Sequence, residues 1–345
     1  MFHTIVVGAG QAGLAMSYFL MKNKKDFLVL DKGLSIGESW SSRYDSLVLF
    51  TPRLFNSLPG MLMEGDLHGL PSKDEVSRYL SRYAQACQFP VQFNTEVYLV
   101  VQNEDRSFSV STYNGVYQTK NLVIATGPFH KKFVPPISKS LNHHVTQLHS
   151  SEFRNQNQLQ EGNVLVVGGG NSGAQIAVEL CESKKTYLAV SKKPDFMPLM
   201  VMGKSIFYWF DRLGILNAAS HSKLGKFIRK KGDPVFGQDL KIALKQNKIV
   251  MKPRVIECKD NVVVFDDTST LLVQNIIWST GFKSDYSWVQ INGVVNEKNE
   301  VIHERGVSPV KGVYFVGLPW QSKRGSALLQ GVGSDAEFLM TYLND

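Results

Sequence analysis

The sequence predicts an α/β protein of two Rossmann-like dinucleotide-binding modules, the second inserted in the first. Three observations carry this reading. Two glycine-rich turns, Gly8-Ala9-Gly10-Gln11-Ala12-Gly13 and Gly168-Gly169-Gly170-Asn171-Ser172-Gly173, each follow a short apolar run and open a stretch with helical spacing. Each is followed, 18 residues after its last glycine, by the residue that closes the next apolar run: Asp31 in the first unit, Ser191 in the second. Two more apolar runs end in Thr-Gly, at Thr126-Gly127 and Thr280-Gly281, 119 and 113 residues after the first glycine of their units. Their nesting places one module at 1–127 plus 282–345 and the other at 128–281.

In the first unit Ile5-Val6-Val7 reads as a strand and Leu14, Tyr18 and Met21 as the apolar side of a helix. Between them the first glycine allows the turn, the second lets backbone N–H groups approach a pyrophosphate, and the third lets helix pack on strand. Phe27-Leu28-Val29-Leu30 then delivers Asp31, followed by Lys32, where a ribose diol sits; a carboxylate accepts from both hydroxyls and repels a 2′-phosphate. The second unit repeats the plan with Val164-Leu165-Val166-Val167 and Tyr187-Leu188-Ala189-Val190, but delivers Ser191-Lys192-Lys193, a hydroxyl and two cations suited to a 2′-phosphate. One glycine motif alone is weak. Two in strand–turn–helix context with opposite charge logic point to two dinucleotides, FAD at the first and NADPH at the second.

Trp40 to Pro59 reads as a long loop beyond the carboxyl ends of the strands, where ligands sit in doubly wound folds. Ser72-Lys73-Asp74-Glu75 is a capping box opening a helix with Val76, Tyr79, Leu80 and Tyr83 on its apolar face. Residues 93–101 and 108–113 read as strands of a small side sheet. Near the end, Val313 to Val316 form a strand ending at Gly317, and Gly325-Ser326-Ala327-Leu328-Leu329-Gln330 leads into a last helix whose N-terminus can stabilise negative charge on a reduced flavin.

The chain is long enough for two cores, and 43% hydrophobic and 20% charged residues are ordinary for a globular protein. No apolar run reaches membrane-spanning length, and the first strand starts too early for a signal peptide, so a cytoplasmic location is expected. The net charge of +8 is answered by anionic cofactors without invoking nucleic acid. Its densest basic stretch, Lys223 to Lys231, reads as a solvated helix face in preference to a lipid-surface helix. Cys87, Cys181 and Cys258 are scattered, with no CxxC and no metal-ligand spacing, which disfavours both a metal site and a dithiol reductase.

The chain resembles the flavin-containing monooxygenases, most closely the short bacterial CzcO-like group and the plant auxin-forming enzymes. Besides the glycine and Thr-Gly motifs, the likeness rests on Arg43-Tyr44-Asp45-Ser46-Leu47 through Pro52-Arg53, on Gly317-Leu318-Pro319-Trp320 and on Arg324-Gly325-Ser326-Ala327-Leu328-Leu329. Of the family's linker fingerprint, His149 to Phe153 fits the second half, while His143 and Val145 stand at the Phe and Gly places; His149 reads as a structural linker histidine. The resemblance places FAD at Gly8, Gly10, Gln11, Ala12, Gly13, Asp31, Lys32, Trp40, Thr126, Gly127, Gly317, Leu328, Leu329 and Gln330. It places NADPH at Gly168, Gly170, Asn171, Ser172, Gly173, Ser191, Lys192, Lys193, Thr280 and Gly281.

Where many members carry an Asn before the Pro-Lys-like pair, this chain has Phe50-Thr51, so Phe50, Thr51 and Asn56 are the candidate residues of the oxygen pocket. The resemblance implies that NADPH reduces FAD, that reduced flavin and O2 form a C4a-(hydro)peroxide, and that oxygen passes to a small soft nucleophile or a keto acid. No metal, nucleic acid or membrane span is implied, and a homodimer is left open. The alternatives are an NADPH oxidase or diaphorase, a quinone-type reductase, and an FAD-binding sensor without catalysis.

Overall fold

The computed structural model describes residues 1–343 and contains two separate sheets of parallel strands. At the centre of the first lies Phe2–Val7, flanked by Phe27–Leu30 and the far end of Gly115–Ile124, with Val91–Gln92 and Val313–Phe315 outside them, all parallel. Their residues are almost uniformly apolar and buried, as strands covered on both faces must be. The near half of Gly115–Ile124 pairs antiparallel with Phe108–Thr112, which pairs with Val97–Gln102. The expected side sheet is therefore continuous with the nucleotide sheet, because one ten-residue strand serves both.

The second sheet has the order Ile249–Lys252, Thr186–Ala189, Val164–Val167, Asn275–Trp278, Thr146–His149, again all parallel. Its strands lie within residues 146–278, between the early strands of the first sheet and Val289–Gln290 and Val313–Phe315, the late ones. The fold is thus two Rossmann-like units with the second inserted in the first. The two chain crossings between the sheets are themselves paired, Lys131–Lys132 running antiparallel to Phe282–Lys283.

The helix Lys73–Ala86 starts as expected from its capping box: Glu75 N–H donates to Ser72 Oγ at 3.3 Å and Ser72 N–H to Glu75 Oε2 at 2.9 Å. Val76, Tyr79, Leu80 and Tyr83 are buried on its inner face. The Trp40–Pro59 region is not bare loop; it holds a one-turn helix, Glu38–Ser41, and a 3-10 turn, Arg53–Phe55. Among the described residues no helix is long and apolar enough to cross a membrane.

Candidate functional site

Both glycine turns are built alike. The helices Gln11–Lys22 and Asn171–Leu180 start at Gly10 and Gly170, and no side chain caps either N-terminus, so their first-turn N–H groups are left to a ligand or water. A Cβ added at Gly10 or Gly170 would meet nothing within 4 Å. One added at Gly13 would lie 1.8 Å from the Gly8 carbonyl oxygen, and one at Gly173 1.9 Å from that of Gly168. The middle glycine of each turn therefore faces open space and the last faces backbone, the division of labour the sequence predicts.

The first turn opens on a cavity of about 860 Å³ lined by Gly8, Gly10, Gln11 and Ala12, by Asp31 and Lys32, and by Thr126, Gly127 and Gly317. Asp31 is held by its own turn: Ala9 N–H donates to Oδ2 at 2.5 Å and Gly33 N–H to Oδ1 at 2.7 Å. A carboxylate has about four acceptor sites, so two remain for a diol. Gln11 accepts from Trp40 Nε1 at 3.3 Å and donates to the Ala327 carbonyl at 3.2 Å, which ties the Glu38–Ser41 turn to the Arg324–Ala327 turn across the glycines. Trp40 thus acts through Gln11 and does not line the cavity. Of the C-terminal candidates, Leu329 is buried in the core, Leu328 is exposed, and Gln330 Oε1 is a buried acceptor with no partner among the described residues; none of the three lines the cavity.

In the second module Ser191, Lys192 and Lys193 are exposed just past the end of Thr186–Ala189, and among the described residues neither lysine is in an ion pair. Asn171 is already engaged. Its Nδ2 donates to the Pro234 carbonyl and its Oδ1 accepts from Phe236 N–H, both at 3.0 Å, so it staples the helix start to Val235–Phe236. Ser172 lies against the Tyr44 hydroxyl. Thr280 Oγ1 donates to the Phe133 carbonyl, and the Gly281 carbonyl accepts from Phe133 N–H and from His149 Nε2, both at 2.9 Å. His149 is buried, and Ser151 N–H donates to its Nδ1. Burial keeps it neutral by lowering its pKa, consistent with the structural role expected of it.

Phe50 stacks on Phe236 with ring centroids 4.4 Å apart and lies parallel to Phe207 at 6.0 Å, joining the two modules through an aromatic cluster. Thr51 and Asn56 are buried but do not line the large cavity. The Asn56 amide donates to the Thr51 and Pro52 carbonyls at 2.6 and 3.2 Å and so shapes this turn. Arg53 is drawn away into an ion pair with Glu75, the capping residue.

Among the cavity residues that sequence reasoning did not single out as site residues are Arg43 and His130. Arg43 sits 4.9 Å over the Phe129 ring, and its Nε donates to the Ser39 carbonyl. His130 Nδ1 lies 2.8 Å from Asp285 N and 2.9 Å from the Asp285 carbonyl oxygen, and its Nε2 lies 2.9 Å from Thr126 Oγ1. Its pKa is lowered by burial, so it stays neutral and fixes the Thr126 hydroxyl. The long-range partners of both, Phe129 for Arg43 and Asp285 for His130, leave no local signal in the sequence.

All three cysteines are free, and burial raises each thiol, that of Cys258 to about 11. With this geometry in place, a family model for pyridine nucleotide-disulphide oxidoreductases matches residues 5–197. The chain belongs to that family. Within it, the uncharacterized oxidoreductase CzcO of Bacillus subtilis (strain 168) is 56% identical over 344 residues, 100% of this chain and 99% of that protein. Indole-3-pyruvate monooxygenase YUCCA8 of Oryza sativa is 27% identical, with 96% of this chain and 88% of that protein covered. A flavin-containing monooxygenase from Stenotrophomonas maltophilia has the same fold, with a TM-score of 0.83 at 24% identity and 99% and 98% of the two chains covered. Despite the family's title, no two cysteines here are paired or adjacent in sequence, so the chain is an oxidoreductase of this family without a dithiol centre.

Proposed function

We propose that the chain is an FAD-dependent NADPH monooxygenase that transfers one oxygen atom from O2 to a small soft nucleophile or a keto acid. The observation that carries this reading is the pair of uncapped glycine turns with opposite second residues, Asp31 for an unphosphorylated ribose and Ser191-Lys192-Lys193 for a 2′-phosphate. FAD held at the first turn, with NADPH at the second, would supply the redox chemistry that activates O2. The protein's own residues bind, orient and exclude water. The N–H groups of the two helix starts would take the pyrophosphates, and the Thr126 hydroxyl, hydrogen-bonded to His130, lines the cavity. The Phe50–Phe207–Phe236 cluster keeps the junction between modules dry. Thr51 is the hydroxyl available beside it, and Asn56 holds its turn.

The reading includes a division at 1–127 plus 282–345 and 128–281, and a cytoplasmic location. The relatives named as monooxygenases, one of them for a keto acid, support the oxygen-transfer step. An NADPH oxidase is the second reading, and one observation favours it: the Asn56 amide is spent on backbone carbonyls and does not stand free to hold an oxygenated flavin.

One experiment separates the two. Reduced enzyme is mixed with O2 in a stopped-flow instrument while NADPH consumption and hydrogen peroxide release are followed. A long-lived near-ultraviolet band with little peroxide released supports the monooxygenase. Immediate return of oxidised flavin with one peroxide per NADPH replaces it by the oxidase.

A further inference from the structure

The helix Lys223–Lys231 carries Lys223, Lys226, Arg229, Lys230 and Lys231 and no acidic residue. A solvated helix normally hides its apolar stripe against the protein, as Lys73–Ala86 does. This one hides only Ile228, and that by half. Leu224 is 44% exposed and Phe227 65% exposed, while the buried position is Gly225. At about 100° per residue, Phe227, Lys231, Leu224 and the half-buried Ile228 span one side, Lys223 and Lys230 border it beyond Phe227, and Gly225 lies beyond Ile228.

The orientation is built in. A Cβ on Gly225 would come within 2.1 Å of the Ala219 carbonyl oxygen, so only glycine lets the helix seat on that segment. The segment is in turn fixed to the C-terminal loop, with Ser220 N–H bonded to the Ser322 carbonyl at 2.7 Å and Arg324 paired with Asp233 at 2.8 Å. The helix N-terminus is closed by Ser222 Oγ, which accepts from Gly225 N–H at 3.0 Å. None of the five cations of the helix is in an ion pair among the described residues. The same stretch of chain carries Met202, 87% exposed at the turn of a hairpin followed by Lys204.

We propose that this helix is a docking surface for an anionic lipid bilayer, with Phe227 and Leu224 entering the acyl boundary and the surrounding lysines meeting the headgroups. An aromatic and a leucine ringed by cations match that interface in both chemistry and depth. A helix of this length, about 13 Å, presents much less than the roughly 800 Å² per partner that a stable protein interface buries. An RNA or DNA groove would use the cations and leave the apolar stripe in water. The inference does not depend on the proposed reaction.

The test uses the purified full-length protein in flotation with vesicles of phosphatidylcholine alone, or of two parts phosphatidylcholine to one part phosphatidylglycerol. Binding to the anionic vesicles, lost on raising the salt, is expected. At about fivefold per cation near such a surface, Lys223→Gln with Lys230→Gln weakens binding about 25-fold. Phe227→Ser weakens it as well, and Phe227→Trp shifts its emission to the blue on anionic vesicles. These side chains are exposed, so unchanged melting of the variants shows that the fold is intact. Absence of wild-type binding at low salt overturns the proposal, as does binding indifferent to the charge of the lipid or to these substitutions. So does a concentration-dependent dimer that Phe227→Ser abolishes, which would make the face a contact between copies of the chain.

Discussion

Replacing Gly10 and Gly13 separately by Ala tells a glycine kept for a ligand from a glycine kept for packing. Gly10 has an extended backbone, φ −73° and ψ −177°, and an added methyl meets no protein atom within 4 Å. In the flavin-free protein Gly10→Ala therefore costs about 0.5–1 kcal/mol, the difference between Gly and Ala at an N-cap. With FAD the methyl takes the space of the pyrophosphate and moves it off the first-turn N–H groups. Loss of one charge-assisted hydrogen bond, about 1.5–3 kcal/mol, weakens FAD by about tenfold to a hundredfold or more. Gly13→Ala behaves the other way. Its methyl would sit 1.8 Å from the Gly8 carbonyl oxygen, and ordinary contact begins at 3.4 Å, so helix and strand must separate. Overpacking of this kind costs about 1–3 kcal/mol or more, and each kcal/mol lowers Tm by roughly 1–2 °C in a chain of 345 residues. The assay is a thermal melt of each flavin-stripped protein beside a titration with FAD read by quenching of flavin fluorescence. The reasoning fails if Gly10→Ala binds FAD as the wild type does, or if Gly13→Ala melts with it.

Exchanging both Lys192 and Lys193 for Ala raises the KM for NADPH by tenfold or more, from contacts worth about 1.5–3 kcal/mol each, and leaves that for NADH nearly unchanged; steady-state kinetics with both coenzymes checks this. Since burial depresses the folded-state pKa of His149 below 6.5, the unfolded chain binds the extra proton first as pH falls. Its contribution is complete above about pH 6.5 and is lost as the pH drops below that value towards the folded-state pKa. Denaturant melts between pH 7 and 5 should show a shallower slope for His149→Gln than for wild type. Ser72→Ala breaks the capping box of Lys73–Ala86 and should lower stability by about 1 kcal/mol, read from the midpoint of urea unfolding at unchanged m-value.

The nucleotide-binding half of the candidate site was legible because its requirements are local. A turn that must admit a pyrophosphate, and a carboxylate or cation pair at the next strand end, lie within one strand–turn–helix unit and leave a fixed spacing in the sequence. The pocket was not legible for the opposite reason. Phe50 meets Phe207 and Phe236 across the module boundary, Asn171 is consumed by Val235–Phe236 some 65 positions away, and His130 meets Asp285 across 155. Nor does composition separate a basic helix with its apolar stripe hidden from one with the stripe exposed; that depends on Gly225 and the segment it presses against.

The paired crossings at Lys131–Lys132 and Phe282–Lys283 are reinforced by the loop at 43–48. There Tyr44 hydrogen-bonds Gln175, Ser46 bonds Glu179, and Asp45 N–H reaches the Arg154 carbonyl. Two folds that could each melt alone are thereby laced into one cooperative unit. A ligand that stabilises either unit raises the free energy of unfolding of the whole. Filling the flavin site should thus raise the melting temperature of the coenzyme module in a single calorimetric transition, with no contact between the flavin and that module's core required.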